Sequence, residues 1–449
     1  MEGASVGTPD LAGFLDADPL GLASRPRWSL ARRVAFRFWL LYVGLYLLAT
    51  QVLATILLPG IDVPDPGTLG PARAVVDWTA RHVFGVSSEL VVTGSGSGDK
   101  TFDWIQAFCA LVLAGVGAVL WSALDRRRPN YVRAEGWLRL AVRIALGSTL
   151  ILYGMDKIVP LQMPFPALTR LIEPYGNLSP MGVLWASIGA SPAYEIFTGC
   201  AETLGGILVL LPRTAMLGAL LCLADAIEVF VLNMTYDVPV KLFAFHLVVF
   251  SLYLLAPEWP RLRDFFLRER AVGPPARPPL LRSARANRAA SWALVLYVGY
   301  LLAMNVRSAR AAWTEFGGGA PRPAYYGIWD VESAVVDGKA SPALLGDSDR
   351  WRRLVFAFPG AATAQRMDDS FVQFKAELGA HDRRLALTKR DDAKWTAAFL
   401  VDRPSRDRLV LEGDVDHRRA RLELRRVDET RMLLPSRGFH WVQEFPFNR

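Results

Sequence analysis

Titratable side chains stand inside or at the edge of long apolar stretches of this 449-residue chain. Glu195 and Glu202 lie seven residues apart, and Asp225 and Glu228 three apart. On a helix each pair shares a face. Asn233 follows, then Lys241 and His246, while Asp156 and Lys157 end an earlier apolar run. An ionisable group at the centre of a membrane helix costs ~2.5–3.5 kcal/mol on insertion scales. Such groups are retained either to bond helices together or to line a polar pocket. In a pocket, carboxylates and histidine transfer protons, and lysine, asparagine and histidine hydrogen-bond a ligand. The catalytic candidates are Glu202, Lys157, His246, Glu228 and Asp225. The candidates for holding a cofactor or ligand are Lys241, Glu195 and Asn233.

These residues need membrane helices to position them. The chain is 52% hydrophobic yet 21% charged, which suits apolar blocks joined to polar ones. Spans of about 20 apolar residues are expected at Phe38–Leu58, Trp104–Leu124, Leu140–Asp156, Ala193–Leu211, Thr214–Leu232, Pro239–Leu255 and, shorter, Ala289–Asn305. The run Met181–Ala190 is too short to cross. Twenty arginines fall in one alternate set of connections and five basic residues in the other. The positive-inside rule then puts the N-terminus in the cytoplasm and the C-terminal domain outside a bacterial inner membrane. At a rise of about 1.5 Å per residue, Glu202 lies roughly 13 Å below the outer surface, and Asp225 and His246 roughly 10 Å. Three helices would bring their polar groups to one level, in a pocket open to the outer side.

Other chemistries are excluded or demoted. Three cysteines without a CxxC pair argue against a disulfide scaffold, a zinc module or a thiol relay. Only His246 lies in a span, too few for a bis-histidine haem. No metal set is assigned. The net charge of +8, mostly from arginine, does not indicate nucleic acid. Residues 94–101, GSGSGDKT, lack the glycine that a phosphate loop needs before its lysine, because Asp99 stands there. They are expected to form a flexible turn.

Along the chain, residues 1–33 form a cytoplasmic segment without a cleavable leader. Residues 34–137 carry two spans and an outer loop in which Ala72–Phe84 has helical spacing. Residues 138–256 form a four-helix core. Within it, the proline-rich stretch 157–192 makes a rigid, broken path that either caps a cavity or merely connects. Residues 257–288 form a basic linker and 289–305 the seventh span. Residues 306–449 are β-rich. Their strands are expected at Arg353–Phe358, Phe371–Glu377, Arg384–Lys389, Thr396–Val401, Arg408–Leu411 and Arg419–Arg425. Turn signals at Pro359-Gly360, Gly379, Asp391-Asp392, Arg403-Pro404 and Asp414–Asp416 separate them. The opening Gly327-Ile328-Trp329 resembles the GxW of lipocalin-like barrels, and the aromatic end Gly438–Asn448 reads as a last strand and docking tail. The fold class is therefore an all-α transmembrane bundle of about seven helices plus an antiparallel β domain, barrel or sandwich.

Leu140–Ile158, with Arg143, Gly147, Gly154 and Lys157, resembles the first helix of DoxX-type membrane proteins. Glu202-Thr203-Leu204-Gly205-Gly206 resembles that family's E-x-x-G-G signature, and the stretch opened by His246 resembles its last helix. The likeness covers residues 138–256 and implies a long DoxX/DoxD form with extra helices and a tail domain. It implies a quinone- or quinol-associated subunit of a membrane oxidoreductase, with Lys157 and Glu202 at motif positions. In that role Lys157 or His246 would bond a quinone carbonyl and Glu202 or Glu228 would carry its proton. A redox partner protein would supply electrons, since the chain carries no evident cofactor motif. The alternative is a non-enzymatic anchor whose β domain binds a lipophilic ligand or a protein. A proton-coupled carrier is a third reading.

Overall fold

The computed structural model describes residues 27–61, 63, 65–273, 279–347, 349–379 and 383–448. Residues 1–26 of the N-terminal segment and 274–278 of the basic linker lie outside the described residues. The chain divides into two compact, discontinuous units, residues 1–155 with 200–306 and residues 156–199 with 307–449.

The helices are α1 (Leu30–Leu48), α2 (Gly70–His82), α3 (Thr101–Leu124), α4 (Val132–Ile158), α5 (Leu168–Ile172), α6 (Pro180–Gly189), α7 (Pro192–Leu210), α8 (Ala215–Thr235), α9 (Lys241–Leu255), α10 (Trp259–Phe266), α11 (Ala284–Glu315) and α12 (Leu433–Ser436). Six helices among the described residues are long and apolar enough to cross a membrane: α3, α4, α7, α8, α9 continued through α10, and α11. The seventh expected crossing, Phe38–Leu58, does not form as one helix. α1 stops at Leu48, and only a π-turn, Val52–Ile56, follows. The break has a local cause. The Thr50 hydroxyl donates to the Tyr46 carbonyl, an alternative to the helical ladder that bends helices. The turn at Gly67 presses against it, since a Cβ at Gly67 would lie 2.2 Å from the Ala49 carbonyl oxygen.

In the first unit α1 packs on α3, α2 on α3, and α8 on α9. The unit's main core joins α1, α4, α7, α8 and α9 through Val43, Val142, Leu146, Val209, Cys222 and Phe250. Near the middle of α1, Arg37 is buried to 1% exposure. Its guanidinium donates to the Tyr131 hydroxyl (2.6 and 2.9 Å), Ser122 Oγ (2.7 Å) and the Asp125 carbonyl (2.6 Å). Residues 94–101 are not a free turn. Asp99 caps α9, accepting from the Lys241 and Leu242 N–H groups at 2.7 and 2.9 Å. Such a cap is worth about 1 kcal/mol, and its charge suits the positive end of the helix dipole.

In the second unit eight antiparallel strands close into a barrel: β1 (Gly327–Val336), β3 (Trp351–Phe356), β4 (Ala361–Arg366), β5 (Phe371–Leu378), β6 (Arg384–Lys389), β7 (Thr396–Ser405), β8 (Arg408–Val415) and β9 (Arg418–Arg426). β1 pairs with both β3 and β9, and β2 (Lys339–Ala340) extends β1 as a short hairpin. β4 is a strand that the expected set omits. Arg403-Pro404 is not a turn but the end of β7, where the register slips between Asp402 and Ser405. A proline is tolerated at such an irregularity. Alternate residues of each strand fill the interior: Trp329, Leu354, Phe374, Leu385, Leu387 and Leu411 are 0–2% exposed. The barrel is a packed core, with Trp329 Nε1 donating to the Tyr325 carbonyl. On its outer surface Ile328 and Val355 are covered by Leu168 of α5. The aromatic end is not a last strand: residues 437–448 are non-regular, and Phe439, Trp441, Val442 and Phe445 stand exposed.

Candidate functional site

The candidate residues of the apolar helices occupy separate places. Glu202 on α7 is 4% exposed and Asp225 on α8 is half-buried. Cys222 is buried one turn before Asp225 on α8. Gly205 of α7 faces both of these α8 side chains, since a Cβ there would lie 3.3 Å from Cys222 Sγ and 3.4 Å from Asp225 Oδ2. Its neighbour Gly206 faces the other way, onto α4, where a Cβ would lie 2.7 Å from the Gly147 carbonyl oxygen. Arg143 donates to the Val209 and Leu210 carbonyls at the end of α7 (2.8 and 2.6 Å). The motif arginine and Gly206 thus bring α4 and α7 into backbone contact, while Gly205 leaves room for α8 side chains.

His246 belongs to another cluster. Its Nδ1 lies 2.7 Å from the Leu242 carbonyl, so Nδ1 carries the proton and Nε2 accepts from the Tyr42 hydroxyl at 2.7 Å. Its ring stacks on Tyr46 at 3.8 Å. This histidine fastens α9 to α1 instead of joining the carboxylates of α7 and α8. Asn233 donates to the Val240 carbonyl, and Lys241 pairs with Asp237 at 2.8 Å and lies 3.9 Å from Asp99. Both fix the α8–α9 connection. Glu228 is exposed on α8. In the second unit Glu195 is fully buried, accepts from the Met163 N–H at 2.8 Å and lies in the field of the buried Lys157. Among the described residues no group of three or more His, Cys, Asp or Glu is placed to hold a metal ion.

The second unit also holds a cavity of about 690 Å³, within the roughly 300–1,000 Å³ of small-molecule sites. One wall is the 160–171 stretch, where Pro160, Pro164 and Pro166 keep the chain extended. α6 supplies a second wall with Met181, Trp185 and Ala186; Pro180 stands in its first turn, where proline is tolerated, and the Ser179 hydroxyl accepts from the Gly182 N–H. The proline-rich path thus contains short helices. Gly317 and Gly318 form the third wall, the glycine run wrapping Trp313: a Cβ on Gly318 would lie 2.4 Å from that indole. Phe316, Tyr326 and Phe358 complete an aromatic lining. The polar groups are Arg170, paired with Glu173, Arg322, whose guanidinium lies 4.6 Å over the Tyr326 ring, and Glu429. Asp428 caps the turn that carries Glu429; hydrogen bonds from the Thr430 hydroxyl and N–H hold its carboxyl below the usual carboxylate range. None of these lining residues stands among the candidates read from the sequence. The available signals were the prolines of 160–180 and the glycine run, but neither tells which wall it will meet.

No family model matches the chain, and no solved structure matches it. A curated relative is the protein given as "Uncharacterized protein YwoB" of Bacillus subtilis (strain 168). It is 32% identical over 142 residues, which cover 30% of this chain and 90% of that protein.

Proposed function

We propose, for a chain that belongs to the family of the Bacillus subtilis protein YwoB, that it is a membrane protein binding a lipophilic small molecule outside the bilayer-spanning helices. The observation that carries this reading is the aromatic and proline-walled cavity of about 690 Å³ in the second unit. Mostly apolar walls with a few convergent polar groups are what ligand sites share. The barrel interior is filled, so the ligand lies on the barrel's outer side. The bundle acts as the anchor. The arginines of 126–128 and of the 257–288 linker put those connections on the cytoplasmic side. Counting spans onward from α3, α11 then emerges outside and carries the barrel with it, whether or not α1 crosses. A lipophilic diazirine probe, irradiated with the full-length protein, is expected to label Phe165, Trp185 and Phe358. Labelling confined to the outward faces of the long helices would overturn the reading.

A quinone-linked redox subunit of DoxX type is the second reading. The buried Glu202 of α7 and the half-buried Asp225 of α8 favour it, because carboxylates withdrawn from water can serve proton transfer. In that reading Glu202 or Asp225 would carry the quinone's proton, and a partner protein would supply electrons. Quinol turnover with that partner is expected to fall at least tenfold in Glu202→Gln. Turnover equal to wild type excludes the reading.

A further inference from the structure

The polar groups of the cavity are unevenly charged. Arg322 is exposed and has no carboxylate within ion-pair distance among the described residues; it rests only on the Tyr326 ring. Arg170 is paired with Glu173, yet its Nη1 lies 3.8 Å from the position a Cβ would take at Gly182, in the first turn of α6. Ser179, Met181 and Gly182 all line the cavity, so the ten-residue α6 turns its positive, amino-terminal end toward the same wall. The one acidic lining residue, Glu429, lies 3.9 Å from Arg426. A positive edge thus borders an apolar interior.

We infer that the ligand is an anionic amphiphile: a single apolar chain in the cavity, ending in a carboxylate or phosphate held by Arg322 and Arg170 at the amino end of α6. The inference rests on the cavity being a lipophilic site and adds the charge of the occupant. A guanidinium binds such oxygens through charge-assisted hydrogen bonds, bidentate in the best geometry. An uncharged chain of equal length lacks that anchor.

The test uses the full chain in nanodiscs of zwitterionic lipid, titrated with oleate, methyl oleate and oleoyl lysophosphatidate. Oleate is expected to bind about tenfold or more tightly than its methyl ester, the size of one charge-assisted hydrogen bond. In Arg322→Gln and Arg170→Gln that preference shrinks toward unity while methyl oleate binding is unchanged. The phosphate probe separates the two headgroups: tighter binding than oleate assigns a phospholipid-like ligand, and weaker binding a fatty acid. Equal binding of oleate and its ester overturns the anionic assignment and leaves the lipophilic site standing. Failure of every probe, or binding untouched by Ala186→Trp, overturns both.

Discussion

Replacing Gly206 by leucine is expected to disassemble the bundle, with loss of the folded protein in detergent. A Cβ at Gly206 would lie 2.7 Å from the Gly147 carbonyl oxygen, 2.9 Å from Ile151 Cγ1 and 3.0 Å from the Ile151 nitrogen. Two of those three atoms are backbone, so no rotamer change makes room. Gly147 is equally closed, its Cβ position being 2.5 Å from Leu210 Cγ and 2.9 Å from the Gly206 oxygen. Overpacking typically costs about 1–3 kcal/mol, and a whole isobutyl group between two backbones belongs at the upper end or beyond. Gly206→Ala is expected to show a smaller loss in the same direction. Thermal unfolding in detergent measures both, and an unchanged transition in Gly206→Leu would contradict the close approach of α4 and α7.

The second large effect is expected at Arg37. Its guanidinium, on the buried face of α1, satisfies Tyr131, Ser122 and the Asp125 carbonyl. In Arg37→Met those partners lose a charged donor, and a hydrogen bond to a charged group is worth about 1.5–3 kcal/mol. With three partners, the stability loss is expected to reach about 3 kcal/mol or more. Arg37→Lys restores little, because a lysine ammonium does not reproduce the planar fork. Protease sensitivity of the α1–α3 contact should rise in both variants. A stability within about 0.5 kcal/mol of wild type, the range of ordinary surface substitutions, would show that the cluster is dispensable.

How much was legible depends on which interaction decides each element. Hydropathy alone locates α3, α4, α7, α8, α9 and α11, because length and apolarity suffice for a span. It fails at Phe38–Leu58, which is apolar throughout; Thr50 and the approach of Gly67 to Ala49 break that helix. Alternation locates most strands, but β4 reads AATAQR, with no bulky or branched apolar residue to mark a face. Arg403-Pro404 has turn chemistry and nonetheless continues β7, since the ladder tolerates a register slip there. In the bundle, depth arithmetic puts Glu202, Asp225 and His246 at one level and in one pocket. It misplaces His246, because height says nothing of azimuth: that ring turns to Tyr42 and Tyr46 of α1. The E-x-x-G-G glycines and Arg143 were visible as a motif, while their work as points of helix contact emerges only from the packing. The cavity was the least legible feature, since its walls come from stretches more than a hundred residues apart.

A lipophilic molecule held in the cavity beside the barrel stays with the protein through gentle extraction. Native mass spectrometry of the full-length chain, extracted from its membrane in mild detergent, tests it most directly. A retained adduct of lipid-like mass is expected in the wild type, with its loss in Ala186→Trp, where an indole fills the α6 wall. A wild type without any adduct, or an adduct held equally by the variant, would contradict it.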